Sequence, residues 1–211
     1  MKLTIRNENI NDYRMAEELT RESFWNVHQP GCVEHLVSHN LRNSPDFIPE
    51  LTFVALHEDK IVGHIVYSRG LIKDKRGPSH KVITFGPVSV LPSYQKQGVG
   101  RALISHSADL ARAMGAPGIV IYGDPRYYSR FGFRCAEKYE IKTPDDKYAV
   151  ALQVLELHPN ALCDVSGMFF ESEAFEPDMQ KFPELDASFP PREKAETDSQ
   201  HEFRMLVSMR Y

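Results

Sequence analysis

Apolar and polar positions change period several times along this chain, and each change marks an element. Leu3 and Ile5 alternate with polar neighbours, the pattern of a half-buried strand. Ile10, Met15, Leu19 and Phe24 then give a helix its apolar side. Asn9 is placed to cap that helix, with Asp12 three residues on as a variant capping box. Pro30-Gly31 ends it. Val33, Leu36, Val37 and Asn40-Leu41 share one face of a second helix, and a linker over 43–50 carries Pro45 and Pro49. Three strands follow, over 51–57, 61–71 and 81–90. Glu58-Asp59 turns the first into the second, Gly63 suggests a bulge, and a charged loop over 73–79 holds Gly77-Pro78. Gly86-Pro87 interrupts the third strand. Proline brings no ladder donor, so pairing must bulge or break there.

Val88, Ser89 and Val90 close that strand, and a polar turn over 91–97 contains Pro92. From Gly98 the helical period returns, with Val99, Leu103, Leu110 and Met114 apolar. Gly115 supplies its stop. Residues 118–122 read as a short fifth strand. Asp124-Pro125 is a helix start, with Asp as cap and Pro first in the helix. That short helix runs through Tyr127 and Tyr128 to Gly132-Phe133. Two closing strands, 137–143 and 148–155, are joined by Pro144-Asp145-Asp146. The last fifty or so residues differ in character. Residues 167–170 and 203–209 read as strands, and the Pro- and Glu-rich stretch over 176–200 suits an extended surface segment. The expected organisation is an α/β domain over 1–158 with a C-terminal appendage over 159–211 packed on it.

Composition narrows the class. The chain has 211 residues, 42% of them hydrophobic and 26% charged, ordinary for a globular protein with one proper core. A formal net charge of −4 gives no general attraction to nucleic acid or an anionic membrane. Cys32, Cys135 and Cys163 are odd in number and widely spaced. They argue for a reducing compartment and against a disulfide framework or a cysteine-rich zinc site. The opening residues lack the apolar core of a signal peptide and no window reaches membrane-spanning length, so a cytoplasmic location is expected.

The chemistry concentrates at 88–114. Gln95-x-x-Gly98-x-Gly100 opens the helix. Glycines two apart let a ligand or another backbone come close. The first N–H groups of a helix lack intrahelical partners, and with the dipole they favour phosphate. Lys96 and Arg101 add positive charge. A P-loop would need Lys-Ser/Thr after its second glycine, where Arg101-Ala102 stands; the dinucleotide fingerprint would need a third glycine, where Leu103 stands.

The whole stretch resembles motif A of the GNAT N-acetyltransferases: a strand ending Val-Ser-Val-Leu-Pro, the Gln-x-x-Gly-x-Gly turn, then an amphipathic helix. Within that superfamily it most resembles the YhbS-like predicted acetyltransferases. The resemblance covers roughly Leu3 to Leu157. It implies a mixed, mostly antiparallel sheet of about seven strands with helices on both faces, splayed between the fourth and fifth strands at a bulge that Gly86-Pro87 would supply. It also implies transfer of acetyl from acetyl-CoA, without a metal, to a primary amine of a small molecule or peptide. On that reading the backbone of Val88 and Val90 would hold the pantetheine arm. The turn Gln95, Lys96, Gln97, Gly98, Val99, Gly100 and Arg101 would hold the pyrophosphate. Ser89 points the other way from its neighbours and has a less clear role. Tyr128, five residues before Phe133 of Gly132-Phe133, matches the family's proton donor to the leaving thiolate, with Tyr127 as fallback. Asp124 replaces the Asn the family often has there; it suits a helix cap that could also touch the cofactor arm.

No carboxylate lies on 81–90 to serve as base, and Glu50, His64, Glu171 and Glu173 are undistinguished candidates. His35 and His39, four apart, could share a metal but lack a third ligand, and His106 suits a core edge. A non-catalytic acyl-CoA-binding module of the same fold is the alternative, and a homodimer is compatible with either. The appendage, with Met168, Phe169, Phe170, Phe175, Phe203, Met205, Leu206 and Val207, is too apolar for a free tail.

Overall fold

The computed structural model describes residues 1–74, 77–176 and 182–211, and of Phe182 only the backbone. Alternation builds the first four strands: β1 (Thr4–Asn7), β2 (Phe53–His57), β3 (Lys60–Lys73) and β4 (Ser79–Val90). They form an antiparallel meander. β5 (Gly118–Tyr122) runs parallel to β4 and pairs with it only at Ile83 opposite Ile119. The remaining strands are β6 (Arg134–Cys135), β7 (Ile141–Lys142), β8 (Leu152–Glu156) and β9 (Gly167–Phe170). The order is β1-β2-β3-β4-β5-β8-β6 in an open mixed sheet, while β9 pairs with both β3 and β7. Nine strands are present among the described residues, because β6 and β7 are two-residue pieces and β9 joins from the appendage.

The predicted bulge is where Gly86-Pro87 requires it. Ile65 pairs with Val88 but Tyr67 pairs with Phe85, so Gly86 and Pro87 together face Val66. Beyond Ile83, β4 and β5 diverge and a cleft opens between them.

Helices lie on both faces. α1 (Tyr13–Phe24) and α2 (Glu34–Arg42) cover one; α3 (Val99–Ala113) covers the other. Period two in β3 sorts the contacts. Gly63 lets Val99 and Leu103 of α3 approach, and a Cβ there would stand 2.7 Å from the Val99 methyl. The Tyr67 hydroxyl bonds Ser107 of α3 at 2.9 Å. His64 and Val66 face the other way, toward Glu8 and toward Val37 and Leu41. The main core gathers Phe53, Ile65, Tyr67, Leu103, Ile104, Ile119 and Ile121. A second core, with Ile72, Val82, Val120, Leu152, Val154 and Phe169, lies where β9 folds back. The short α4 (Pro125–Tyr128) follows β5, and α5 (Phe182–Ala187) and α6 (Asp198–Ser208) lie in the last thirty residues. No helix among the described residues is long and apolar enough to cross a membrane.

Several sequence expectations change. The Asn9–Asp12 capping box forms, but Ile10 and Met15 are exposed. The inward face of α1 is Ala16, Leu19 and Thr20 with the ion-paired Glu17 and Arg21, and the helix ends at Phe24, well before Pro30. Met114 is exposed too, with Ile104, Ala108 and Ala111 buried instead. Of 137–143 only Ile141–Lys142 is strand; a 3₁₀ turn, Ala136–Tyr139, takes up the rest. Residues 203–208 belong to α6 and not to a strand, with Met209 just after it, because the apolar run extends a helix already started at Asp198. The segment 176–200 is not wholly extended, since it contains α5 and the start of α6, and its residues 177–181 lie outside those described. Residues 75 and 76 of the charged loop also lie outside them.

Candidate active site

The turn after β4 is built by local rules. Pro92–Tyr94 form a 3₁₀ turn, and the chain then passes through Lys96 at φ 59° and Gly98 at φ 92° before α3 begins. No side chain caps the start of α3. Its first N–H groups therefore lack a side-chain acceptor, and the dipole favours an anion there. Gln97, Gly98 and the side chains of Lys96 and Arg101 are exposed around them. Gln95 turns back instead: its amide donates to the Val90 carbonyl at 3.1 Å.

The strand edge facing the cleft follows from hydrogen-bond alternation. Leu91 donates to Val62, so Leu91 and Ser89 bond toward β3, and the backbone groups of Val88 and Val90 face the cleft. The Val90 carbonyl is already engaged, by Gln95 and by the Ser23 hydroxyl at 2.8 Å. Ser89 does point the other way; its hydroxyl is buried and donates to Thr20 of α1. Val99 is buried in the core.

The opposite wall comes from β5 and α4. Asp124 caps α4 by accepting from the Arg126 N–H at 2.8 Å, and Arg126 also pairs with its carboxylate. Hydrogen bonds from Arg126 hold the Asp124 carboxyl below its ordinary range. This spends Asp124 on the cap. The Tyr127 hydroxyl lies against Gly100, where a Cβ would be 2.8 Å away. α4 and the start of α3 thus meet through one phenol and one glycine. Burial pushes the Tyr127 phenol up.

Tyr128 sits half-buried in an aromatic cage. Its ring lies 5.0 Å from Tyr127, 5.5 Å from Phe133 and 5.9 Å from Phe85 of β4, and Gly123 leaves room for its edge. Burial, then the neighbouring Tyr127 and Asp124, push its phenol well above the ordinary tyrosine value. It stays protonated across the working range of most enzymes.

The other candidates disperse. His64 is buried with its Nε2 3.0 Å from Glu8, Glu50 and Glu173 are exposed, and Glu171 is half-buried just past β9. His35 and His39 turn to different partners: Asp186 and the Phe189 ring for one, Glu17 for the other. His106 is exposed with its ring against Phe53. The sequence reading missed Ser23. Ser23 is 67 residues from the carbonyl it binds, so no local pattern could have found it.

Comparison with known proteins agrees with this geometry. Residues 49–135 match the family model described as acetyltransferase (GNAT) domain. The chain is 30% identical to the uncharacterized N-acetyltransferase YhbS of Escherichia coli over 138 residues, 65% of this chain and 80% of YhbS. It is 37% identical to YjhQ, an uncharacterized N-acetyltransferase of the same organism, over 89 residues; these are 42% of this chain and about half, 49%, of YjhQ. The crystal structure of E. coli YhbS in complex with CoA superposes with a TM-score of 0.72 at 28% identity, covering 83% of this chain and 92% of YhbS. A GNAT acetyltransferase of Brucella melitensis in complex with acetyl-CoA gives 0.66 at 28% identity, covering 83% and 99%. With 80% of YhbS covered at that identity and a matching family model, the chain belongs to the GNAT family of N-acetyltransferases.

Proposed function

We propose that this protein transfers the acetyl group of acetyl-CoA to a primary amine of a small molecule or peptide by direct attack on the thioester. The observation that carries the reading is the cleft beyond Ile83–Ile119, which ends at the uncapped start of α3. In this arrangement the pyrophosphate lies on the N–H groups of 98–101, with Lys96 and Arg101 beside it and Gln95 and Gln97 shaping the turn. The pantetheine arm pairs along Val88 and Val90 as a missing strand would. Ser89 and Val99 support from behind, and Asp124 and Tyr127 form the opposite wall. A backbone N–H of the bulged strand polarises the thioester carbonyl.

Tyr128 faces the leaving sulfur. A thiol has an ordinary pKa of about 8.5 and a phenol about 10. Burial raises the phenol further, so full transfer of its proton to the thiolate is uphill. Tyr128 therefore stabilises the thiolate as a hydrogen-bond donor, and the proton that ends on sulfur comes from the amine through solvent. Residues 1–158 carry this machinery, and 159–211 shape the acceptor side.

The test is calorimetric titration with acetyl-CoA, followed by CoA release over a panel of primary amines. Binding together with amine-dependent release is expected. Tight binding with no release for any amine would favour an acyl-CoA-binding module, and absence of binding would remove the proposal.

A further inference from the structure

Glu171 is a half-buried carboxylate just past β9 that forms no ion pair among the described residues. Phe170 pairs with Leu71, so strand alternation sends Phe169 and, just beyond, Glu171 to the opposite face. That face carries Tyr122, the last residue of β5, whose ring lies 6.2 Å from Phe169. A few residues on, Phe175 packs against the bulge: a Cβ on Gly86 would stand 3.2 Å from its ring. The segment 169–175 therefore lies across the cleft on the side away from α3, with Phe169 below Glu171 and Phe175 beside β4. Among the described residues no hydrogen bond or ion pair engages the Glu171 carboxylate. Glu171 also belongs to the 170–174 rim of a groove of about 890 Å³ whose other walls include residues 44–51 and 114–117.

We infer that Glu171 is the acceptor-side base, and that the acceptor arrives as an ammonium ion on its carboxylate, between Tyr122 and Phe175. This rests on the acetyl-transfer reading above. The step balances without a further reactant. The ammonium gives one proton to Glu171. The neutral nitrogen attacks the thioester carbon, the C–N bond forms and the C–S bond breaks. The nitrogen loses a second proton, and the sulfur leaves with its electron pair and is protonated to CoA. Glu171 returns its proton to water, so one ammonium and one acetyl-CoA give one amide, one CoA and one proton.

The environment suits the task. Burial, then repulsion from Glu176, raise the Glu171 carboxyl to about 7. Tyr122 is the other titratable group acting with it, and burial and then Glu171 keep that phenol protonated; Arg210 and Asp145 act on Tyr122 from further out. A carboxylate near 7 holds a proton well enough to take one from an ammonium in a desolvated site.

Carbon-13 NMR of the glutamate carboxyls in the full chain, saturated with acetyl-CoA, tests this without depending on turnover. The Glu171 signal, identified by its loss in Glu171→Gln, is expected to titrate near 7. Linear primary amines from methylamine to hexylamine should move that titration to lower pH, because a bound ammonium favours the carboxylate. With an amine that turns over, Glu171→Gln should lower kcat/KM about 10²-fold at pH 8 and erase the acidic limb, with acetyl-CoA affinity within about twofold. Glu176→Gln, which removes the repulsion, should shift the limb to lower pH and keep the maximal rate. A Glu171 signal indifferent to every amine, or a Glu171→Gln enzyme that keeps the limb and the rate, would overturn the assignment. Neither result touches the acetyl-transfer reading, which fails only if acetyl-CoA does not bind or no amine releases CoA.

Discussion

Gly98 and Gly100 stand two apart, yet different needs keep each a glycine. Gly98 has nothing within 4 Å of where a Cβ would be, but its φ is 92°. A side chain there is strained by about 1–2 kcal/mol whatever the space. Gly98→Ala should therefore redirect the turn and weaken acetyl-CoA by roughly tenfold, 1.4 kcal/mol being a factor of ten. Calorimetric titration of the folded variant checks this. Gly100 is different, because its neighbour is the Tyr127 hydroxyl. Gly100→Ala should also weaken acetyl-CoA, and adding Tyr127→Phe should restore part of the loss, since removing the hydroxyl makes room. A double-mutant cycle reads that coupling. Tyr128→Phe keeps the cage and removes the donor. Its kcat should fall by about 10²-fold, the loss usual when one preorganised donor to developing charge is removed, with acetyl-CoA affinity unchanged, measured where chemistry is rate-limiting. Because the Tyr128 phenol is raised, its ionisation should cause no loss of rate up to pH 10. Tyr128 was singled out by the resemblance to the family, and the glycine turn before α3 was legible from its spacing. The Tyr127–Gly100 contact and the Ser23–Val90 bond were not, because their partners are distant in sequence and meet only in the fold.

Among elements, the layer of α1 and α2 depends on charge as much as on apolar packing. Arg42 of α2 lies 2.6 Å from Glu8 and 2.7 Å from Glu17 of α1, and His64 of β3 lies 3.0 Å from Glu8. The side chains of Arg42, Glu8 and Glu17 are almost fully buried. Arg42→Met would strand two carboxylates, at a cost of about 3–5 kcal/mol in urea unfolding at pH 7. Burial pushes Glu8 up, but the bonds and charges of His64 and Arg42 outweigh it, and its carboxyl lies below the ordinary value. A depressed carboxyl stabilises fully above its unfolded pKa, and that contribution is lost as pH falls through the folded one. Wild-type stability should thus drop on acidification below about pH 4.3, the ordinary glutamate value, and less so in Glu8→Gln. Inward charges explain why the apolar side of α1 was misread: Glu17 and Arg21 look like surface residues until their partners are known. The same limit applies to α6. A short apolar run such as 203–207 reads equally as strand or buried helix.

Across the whole molecule, the last fifty residues are tied to the first half at many points. Asn26 accepts from Gly31 and Ala195 through its side chain, and from Thr197 and Gln200 through its carbonyl. Arg21 pairs with Asp186 at 2.8 Å, and Phe169 is fully buried in the second core. Phe169→Ala should cost about 3–5 kcal/mol, read by thermal or urea unfolding. The apolar content of the last fifty residues was legible in composition, but their route was not, because strand addition at β3 depends on which edge the other strands leave vacant. That vacancy has a consequence of its own. β2 lines β3 only from Lys60 to Ile65, a bridge at Phe47 and Ser68 lies next, and β9 takes Leu71 to Lys73. A chain cut before Gly167 would bare the amides of that last stretch, an invitation to pair with the same stretch of another molecule. Light scattering should find the shortened protein clumping with rising concentration while the full chain stays dispersed. In that sense β9 is a stopper, guarding the molecule against its own copies.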